Sequence, residues 1–258
     1  MDNVNVAKKY SEYSSRFEGD FFGKLRELLG EDAGKYFCLQ QFLGNPYQES
    51  REEHINILRE FHKIDIGNGI SDIVSRVYPH TEWVAEEINS KIKGEKIIDI
   101  GCGSGLLTVF YAINNPTAQF TGIDVSEDAI RAAEERTAKY SLKNIRWVCG
   151  DCLGSSMQKE FEHTDTVILQ DSLYQIFGSQ DQQKELKMLS ILGLRQKEGS
   201  IVIIAQDGDG LKIKSQHATE AGYILDDYKK QILFDENALA DIAYEIAIFR
   251  KSAPQPKS

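Results

Sequence analysis

The stretch KIIDIGCGSGLLTVFYA, Lys96–Ala112, passes from an apolar run through glycines at every second position into a helical pattern. Gly101, Gly103 and Gly105 remove side chains where a ligand must approach the backbone, and the helix that follows directs free N–H groups at whatever is bound. The spacing decides which ligand class the turn suits. A dinucleotide fingerprint needs Gly-x-Gly-x-x-Gly, but the residue three after Gly103 is Leu106, and the third glycine comes one position early. No Lys-Ser or Lys-Thr pair follows, which excludes a P-loop.

Outward from this turn, short apolar runs alternate with helical segments. The runs are KIIDI at 96–100, QFTGIDV at 119–125, NIRWVCG at 144–150, DTVILQ at 165–170 and SIVIIAQ at 200–206. Helix-like stretches lie between them near 105–114, 127–140 and 181–196. Such alternation implies parallel strands joined by right-handed crossovers. GYILDDYKKQILF and AYEIAIFRK read as two further strands, the second too near the end for another crossover helix, so an antiparallel pair at one edge is expected. The fold class is therefore α/β: a doubly wound, mostly parallel, seven-stranded sheet with an antiparallel last strand.

Before Lys91 the patterns are helical with breaks. DFFGKLRELLG places Phe21, Phe22, Leu25, Leu28 and Leu29 on one stripe, with Gly30 positioned to stop it, and a second helix is expected over 31–43. ESREEHINILREFHK opens with Ser50 and Glu53 in capping-box spacing and carries Ile57, Leu58 and Phe61 on its apolar side. HTEWVAEEINSKI repeats Val84, Ile88 and Ile92 at intervals of four. These stripes read as core-packing faces rather than cofactor contacts. The division expected is a helical N-terminal cap over 1–90 and a ligand-binding domain over 91–258.

The pattern at the turn is Asp99-x-Gly-x-Gly-x-Gly. DIGCGSG resembles motif I of the class I S-adenosylmethionine-dependent methyltransferases, a Rossmann-like family whose cofactor lies across this turn. The resemblance covers roughly residues 91–250. It implies cofactor contacts from Asp99, Gly101, Cys102, Gly103 and Gly105. GIDVS ends the second strand with Asp124, which resembles the family's acidic residue for both ribose hydroxyls, with Val125 beside it. A carboxylate suits a diol because it can accept two donors at once. CGDC ends the third strand, where Asp151 matches the residue that accepts from the adenine amino group and Cys152 offers its backbone N–H to the ring. Simpler roles stand beside these: Asp124 as a helix N-cap, a role Ser126 also offers, and Asp151 as a turn residue.

The fourth strand end, LQDSLYQI, should face the transferred methyl group. Gln170 is expected beside the cofactor, Asp171 and Tyr174 are the candidate catalytic residues, and Ser172 and Tyr174 are candidate acceptor contacts. The alternative is polar capping of the next helix. The segment lacks the Asn/Asp-Pro-Pro-Tyr/Phe signature of methyltransferases acting on base amino groups. In related small-molecule enzymes an N-terminal helical segment supplies part of the acceptor pocket. Tyr13 and Arg16 are the first cap candidates, with Tyr10, Arg76, Tyr78 and His80 behind them and His217 and Tyr223 further along the chain; a surface or packing role is the simpler reading of each.

Composition narrows the partners. The net charge of −10 and absence of a Lys/Arg-rich run disfavour nucleic acid. The start, MDNVNVAKKYSEY, has no apolar core like that of a secretory leader, and no run in the 258 residues is long enough to cross a bilayer. A cytoplasmic protein with no membrane partner is expected, and a homodimer is left open. Cys38, Cys102, Cys149 and Cys152 are too few and scattered for a disulfide framework. Cys149 and Cys152 have the spacing of a redox or zinc pair, but no second pair follows, so no metal is expected. The function expected is methyl transfer from S-adenosylmethionine to an oxygen or nitrogen of a small molecule. Peptide or protein methylation, a non-catalytic cofactor-binding module and a nicotinamide dehydrogenase are the competing readings.

Overall fold

The computed structural model describes residues 27, 29–35, 39, 51–67, 80–177, 184–207, 215–235 and 240–253. Among these, seven strands form one sheet: β1 (Lys96–Ile100), β2 (Gln119–Asp124), β3 (Ile145–Cys149), β4 (Thr166–Gln170), β5 (Ile201–Asp207), β6 (Tyr223–Asp235) and β7 (Ala240–Lys251). Their order is β3-β2-β1-β4-β5-β7-β6. β1 pairs in parallel with β2 on one side and β4 on the other, so the chain's direction of travel across the sheet reverses beside β1. A crevice opens at such a reversal, outside the carboxyl ends of the strands.

The apolar runs are strands because both of their faces are covered, which favours continuous rather than alternating hydrophobicity. One face, with Ile98, Val167 and Val202, packs on Met188, Leu189 and Leu192 of a helix at Lys184–Gly193. The other, with Ile97, Ile168 and Ile203, packs on Val84 and Ile88 of a helix at His80–Lys91. The four-residue repeat in that helix thus meets the sheet as its spacing predicts. The Lys184 helix stops at Gly193, short of residue 196, and the Arg195 N–H closes a tight turn onto the Leu192 carbonyl at 2.9 Å.

In chain order the helices used below are α1 (Arg51–Gly67), α2 (His80–Lys91), α3 (Leu106–Asn114), α4 (Glu127–Lys139), α5 (Leu173–Phe177), α6 (Lys184–Gly193) and α7 (Ser215–Glu220). The last strand of the chain is antiparallel as expected: β7 inserts between β5 and β6, antiparallel to both, and β6 takes the edge. Its run from Tyr244 to Phe249 is buried for that reason. Ser50, the cap expected before α1, and most of the helices expected before it lie outside the described residues. No described helix is long and apolar enough to cross a membrane.

Candidate functional site

The glycine turn is tied down before it can hold anything. The N–H groups of Gly101 and Cys102 both donate to the Ile123 carbonyl, at 2.8 and 3.1 Å, fixing the end of β1 to the end of β2. Gly105 has φ +72°, and a Cβ there would lie 2.5 Å from Trp147 and 2.8 Å from Ala133 Cβ. The missing side chain lets the start of α3 press against β3 and α4. Gly101, at φ +74°, lies against Ser172, whose Cβ would be 2.6 Å from an added one. Gly103 has open space where its Cβ would be.

Asp99 sits behind this turn rather than in the cleft. It is buried and accepts a hydrogen bond from Thr108 Oγ1 of α3. Burial pushes its carboxyl up to about 6, opposed by the Thr108 bond and reinforced by the charge of Asp124. A carboxyl raised in this way is stabilising in its protonated form, so its contribution is full at low pH and is lost as pH rises through about 6. Asp99→Asn is therefore expected to remove a fall in stability of about 3 kcal/mol between roughly pH 4 and pH 6. Denaturant titrations of both proteins across that range check it, and parallel pH profiles would contradict it.

Asp124 ends β2 with both carboxylate oxygens in use. Oδ2 accepts from Gly103 N at 2.9 Å and Oδ1 from Ser126 N at 2.9 Å. Ser126, not Asp124, caps α4, its Oγ accepting from Ala129 N at 3.3 Å. With about four acceptor positions, the carboxylate keeps capacity for further donors. Asp151 serves its own turn, Oδ1 accepting from Leu153 N at 3.0 Å, and also lines the cavity. Cys152 is buried in the core cluster while Cys149 is exposed. Burial, with the charges of Asp124 and Asp99, pushes the Cys102 thiol well above its ordinary range.

At the end of β4 two tyrosines from distant elements hold the polar residues. Tyr111 of α3 donates to Gln170 Oε1 at 3.1 Å, and Tyr244 of β7 donates to Asp171 Oδ2 at 2.6 Å. Asp171 has φ +51°, a left-handed conformation that costs a non-glycine residue about 1–2 kcal/mol. Ser172 is buried and its Oγ has no hydrogen-bond partner among the described residues. Tyr174 lies in α5 and His217 in α7, with side chains outside the described residues; Tyr10, Tyr13, Arg16, Arg76 and Tyr78 lie wholly outside them, as does the side chain of His80. Tyr223 takes the packing role: it is fully buried and donates to Gln196 Oε1 at 2.6 Å.

A cavity of about 260 Å³ joins these strand ends, lined by Gly101, Asp124, Val125, Asp151, Cys152 and the Gln170–Ser172 segment among others. Asp99, Cys102, Gly103 and Gly105 shape the turn from outside the described lining. The opposite wall is α1, through Ile55, Leu58, Phe61 and His62. The α1 stripe packs as expected, with Leu58 buried, and its Leu58 and Phe61 also border the cavity. Leu58 and Phe61 face the cleft because α1 lies over the strand ends and against α4. The available signal was a histidine at the edge of an apolar helical face.

The residues present fit a nucleoside-bearing ligand. His62 Nδ1 and Ser172 Oγ are buried polar atoms without a hydrogen-bond partner among the described residues, and both residues line the cavity. An unpaired buried polar atom costs about 1–3 kcal/mol, which a polar ligand can offset. Carboxylates at the ends of β2 and β3 suit hydroxyl and amino donors, and the apolar wall suits a flat ring.

A doubly wound sheet with one reversed strand and a cleft at its β1 turn is the Rossmann-like architecture of class I methyltransferases. The profile of the family described as methyltransferase domain matches residues 91–241, more than half of the chain, and the chain belongs to that family. It is 33% identical over 104 residues to the release factor glutamine methyltransferase of Thermodesulfovibrio yellowstonii, covering 38% of this chain and 36% of that one. It is 34% identical over 77 residues to the ubiquinone biosynthesis O-methyltransferase of Methylococcus capsulatus, covering 30% and 32%. The chain thus spans about a third of the length of these curated relatives. The magnesium protoporphyrin IX methyltransferase of Synechocystis PCC 6803, solved with bound SAH, superposes with a TM-score of 0.56 at 16% identity, over 77% of this chain and 100% of that one. That likeness is one of fold.

Proposed function

We propose that this protein transfers a methyl group from S-adenosylmethionine to an oxygen or nitrogen of a small molecule. The observation that carries the reading is the cavity of about 260 Å³ between the strand ends and α1, with Asp124 and Asp151 on two strand ends and Asp171 on the next. In this assignment Asp124 takes the ribose hydroxyls, Asp151 and the Cys152 backbone take the adenine, and the glycine turn and Gln170 hold the amino-acid end. The division into a cap over 1–90 and a methyltransferase domain over 91–258 belongs to the same proposal.

The bound cofactor supplies an already activated methyl group, so the chain's task is alignment. Orientation and proximity are worth about 7–11 kcal/mol, and a general base adds about 10²–10⁴-fold in rate. In this reading Asp171, which lines the cavity, takes the second role. Tyr244 donates to its Oδ2, which orients the carboxylate. No Lys or Arg is among the described lining residues, so a neutral or cationic acceptor suits this end better than an anionic one.

Asp171→Asn is expected to lower turnover about a hundredfold while changing S-adenosylhomocysteine affinity less than threefold. Unchanged turnover would remove Asp171 from the mechanism. The glutamine methyltransferase relative favours a second reading, a polypeptide acceptor. A methyl-transfer screen with separate metabolite and polypeptide pools distinguishes the two, since label entering only polypeptide would replace the small-molecule reading.

A further inference from the structure

His62 is the one lining side chain on α1 that offers a polar atom, among the residues described there, and its position is specific. Its Nδ1 lies 3.7 Å from Asp124 Oδ1, too far for a hydrogen bond, and is buried without a hydrogen-bond partner among the described residues. The approach is held by the neighbouring helical turn. Arg59 Nε, three residues earlier, donates to the Val125 carbonyl at 3.3 Å, so α1 is docked on the residue directly after Asp124. Asp124 itself cannot turn to meet the ring, because Gly103 N and Ser126 N each hold one of its oxygens at 2.9 Å.

Two polar atoms 3.7 Å apart can share one oxygen at hydrogen-bond distance from both. A hydroxyl has one proton to give and lone pairs to receive, so it can donate to the carboxylate and accept from an imidazole N–H. We propose that His62 is a cofactor-binding residue: with its proton on Nδ1, it donates to a ribose hydroxyl whose own proton goes to Asp124. This rests on the nucleoside reading of the site and adds to it a contact from the cap. The ring then senses whether the nucleoside carries that hydroxyl, and the same contact holds α1 closed on the bound ligand.

The test is calorimetric titration of the full chain and its variants with S-adenosylhomocysteine, 5′-methylthioadenosine, and the 2′-deoxy and 3′-deoxy forms of the latter. His62→Phe keeps a ring against the apolar wall but removes the donor. It is expected to weaken both ribosyl ligands about tenfold and to leave one deoxy nucleoside bound as by the wild type. His62→Asn, which places an N–H near the Nδ1 position, is expected to recover most of the loss. Equal weakening of all four ligands would reduce His62 to a packing residue, and no weakening at all would remove it from the site; either overturns the proposal. If the wild-type chain binds none of the four, the nucleoside reading fails as well, an outcome distinct from the other two.

Discussion

Asp124→Asn is expected to weaken S-adenosylhomocysteine binding about a hundredfold. Two charge-assisted hydrogen bonds to a ribose diol contribute about 1.5–3 kcal/mol each, and losing the lower sum of about 3 kcal/mol corresponds to that factor. The substitution also acts on the turn. Asp124 joins Gly103 of the β1 turn to Ser126 of the α4 cap through one oxygen each, and an amide offers only one acceptor oxygen to the two N–H groups. Stability should fall too, by roughly 1–3 kcal/mol for one poorly satisfied buried donor. Calorimetry and denaturant unfolding separate the effects. A variant that loses stability yet binds the ligand as tightly as the wild type would assign Asp124 to the fold alone.

Gly105→Ala carries the largest expected effect on folding. The residue is at φ +72°, where an L side chain costs about 1–2 kcal/mol, and the new methyl would lie 2.5 Å from Trp147 and 2.8 Å from Ala133. Trp147 has little room to yield, since its Nε1 is bonded to Thr137 Oγ1 at 2.8 Å. Overpacking at such a site adds about 1–3 kcal/mol, so a total near 2–5 kcal/mol is expected, lowering Tm by about 10 °C. Gly103→Ala is the comparison: it shares the left-handed backbone but has open space around the new methyl, and should cost only the backbone part. Equal Tm losses in the two variants would show that packing against Trp147 plays no part.

The sheet and the strand-end aspartates were legible because their signals are local. Each apolar run is bounded by its own turn residues, and the acidic residue that closes it sits at a fixed place relative to the strand end. KIIDI is a strand over 96–100 as read, and the runs read at 119–125 and 144–150 are strands over Gln119–Asp124 and Ile145–Cys149. What escaped was non-local. Nothing near Asp171 in sequence announces Tyr244, 73 residues away on β7, which sets the orientation of the carboxylate. Gln170 is held in the same way by Tyr111 of α3.

The wall formed by α1 escaped for a different reason. An apolar helical stripe has the same spacing whether it packs on a neighbouring element or borders a cavity, so nothing in the sequence singled out Leu58 and Phe61 as cavity-lining. A polar residue at the edge of that stripe distinguishes the cases, because burying an unpartnered imidazole nitrogen is unfavourable unless something fills the gap. His62 was that residue. The insertion of β7 between β5 and β6 was equally hidden, since two sequential strands at the end of a sheet satisfy either order.

The most direct measurement is calorimetric titration of the wild-type chain with S-adenosylhomocysteine, with the reduced nicotinamide dinucleotides run alongside. Saturable binding of the thioether at one site per chain, with no heat from either dinucleotide, is the expected result. Binding of a dinucleotide in its place, or no binding of S-adenosylhomocysteine at all, would contradict the assignment of the β1 turn, Asp124 and Asp151 to a methyl-donor site.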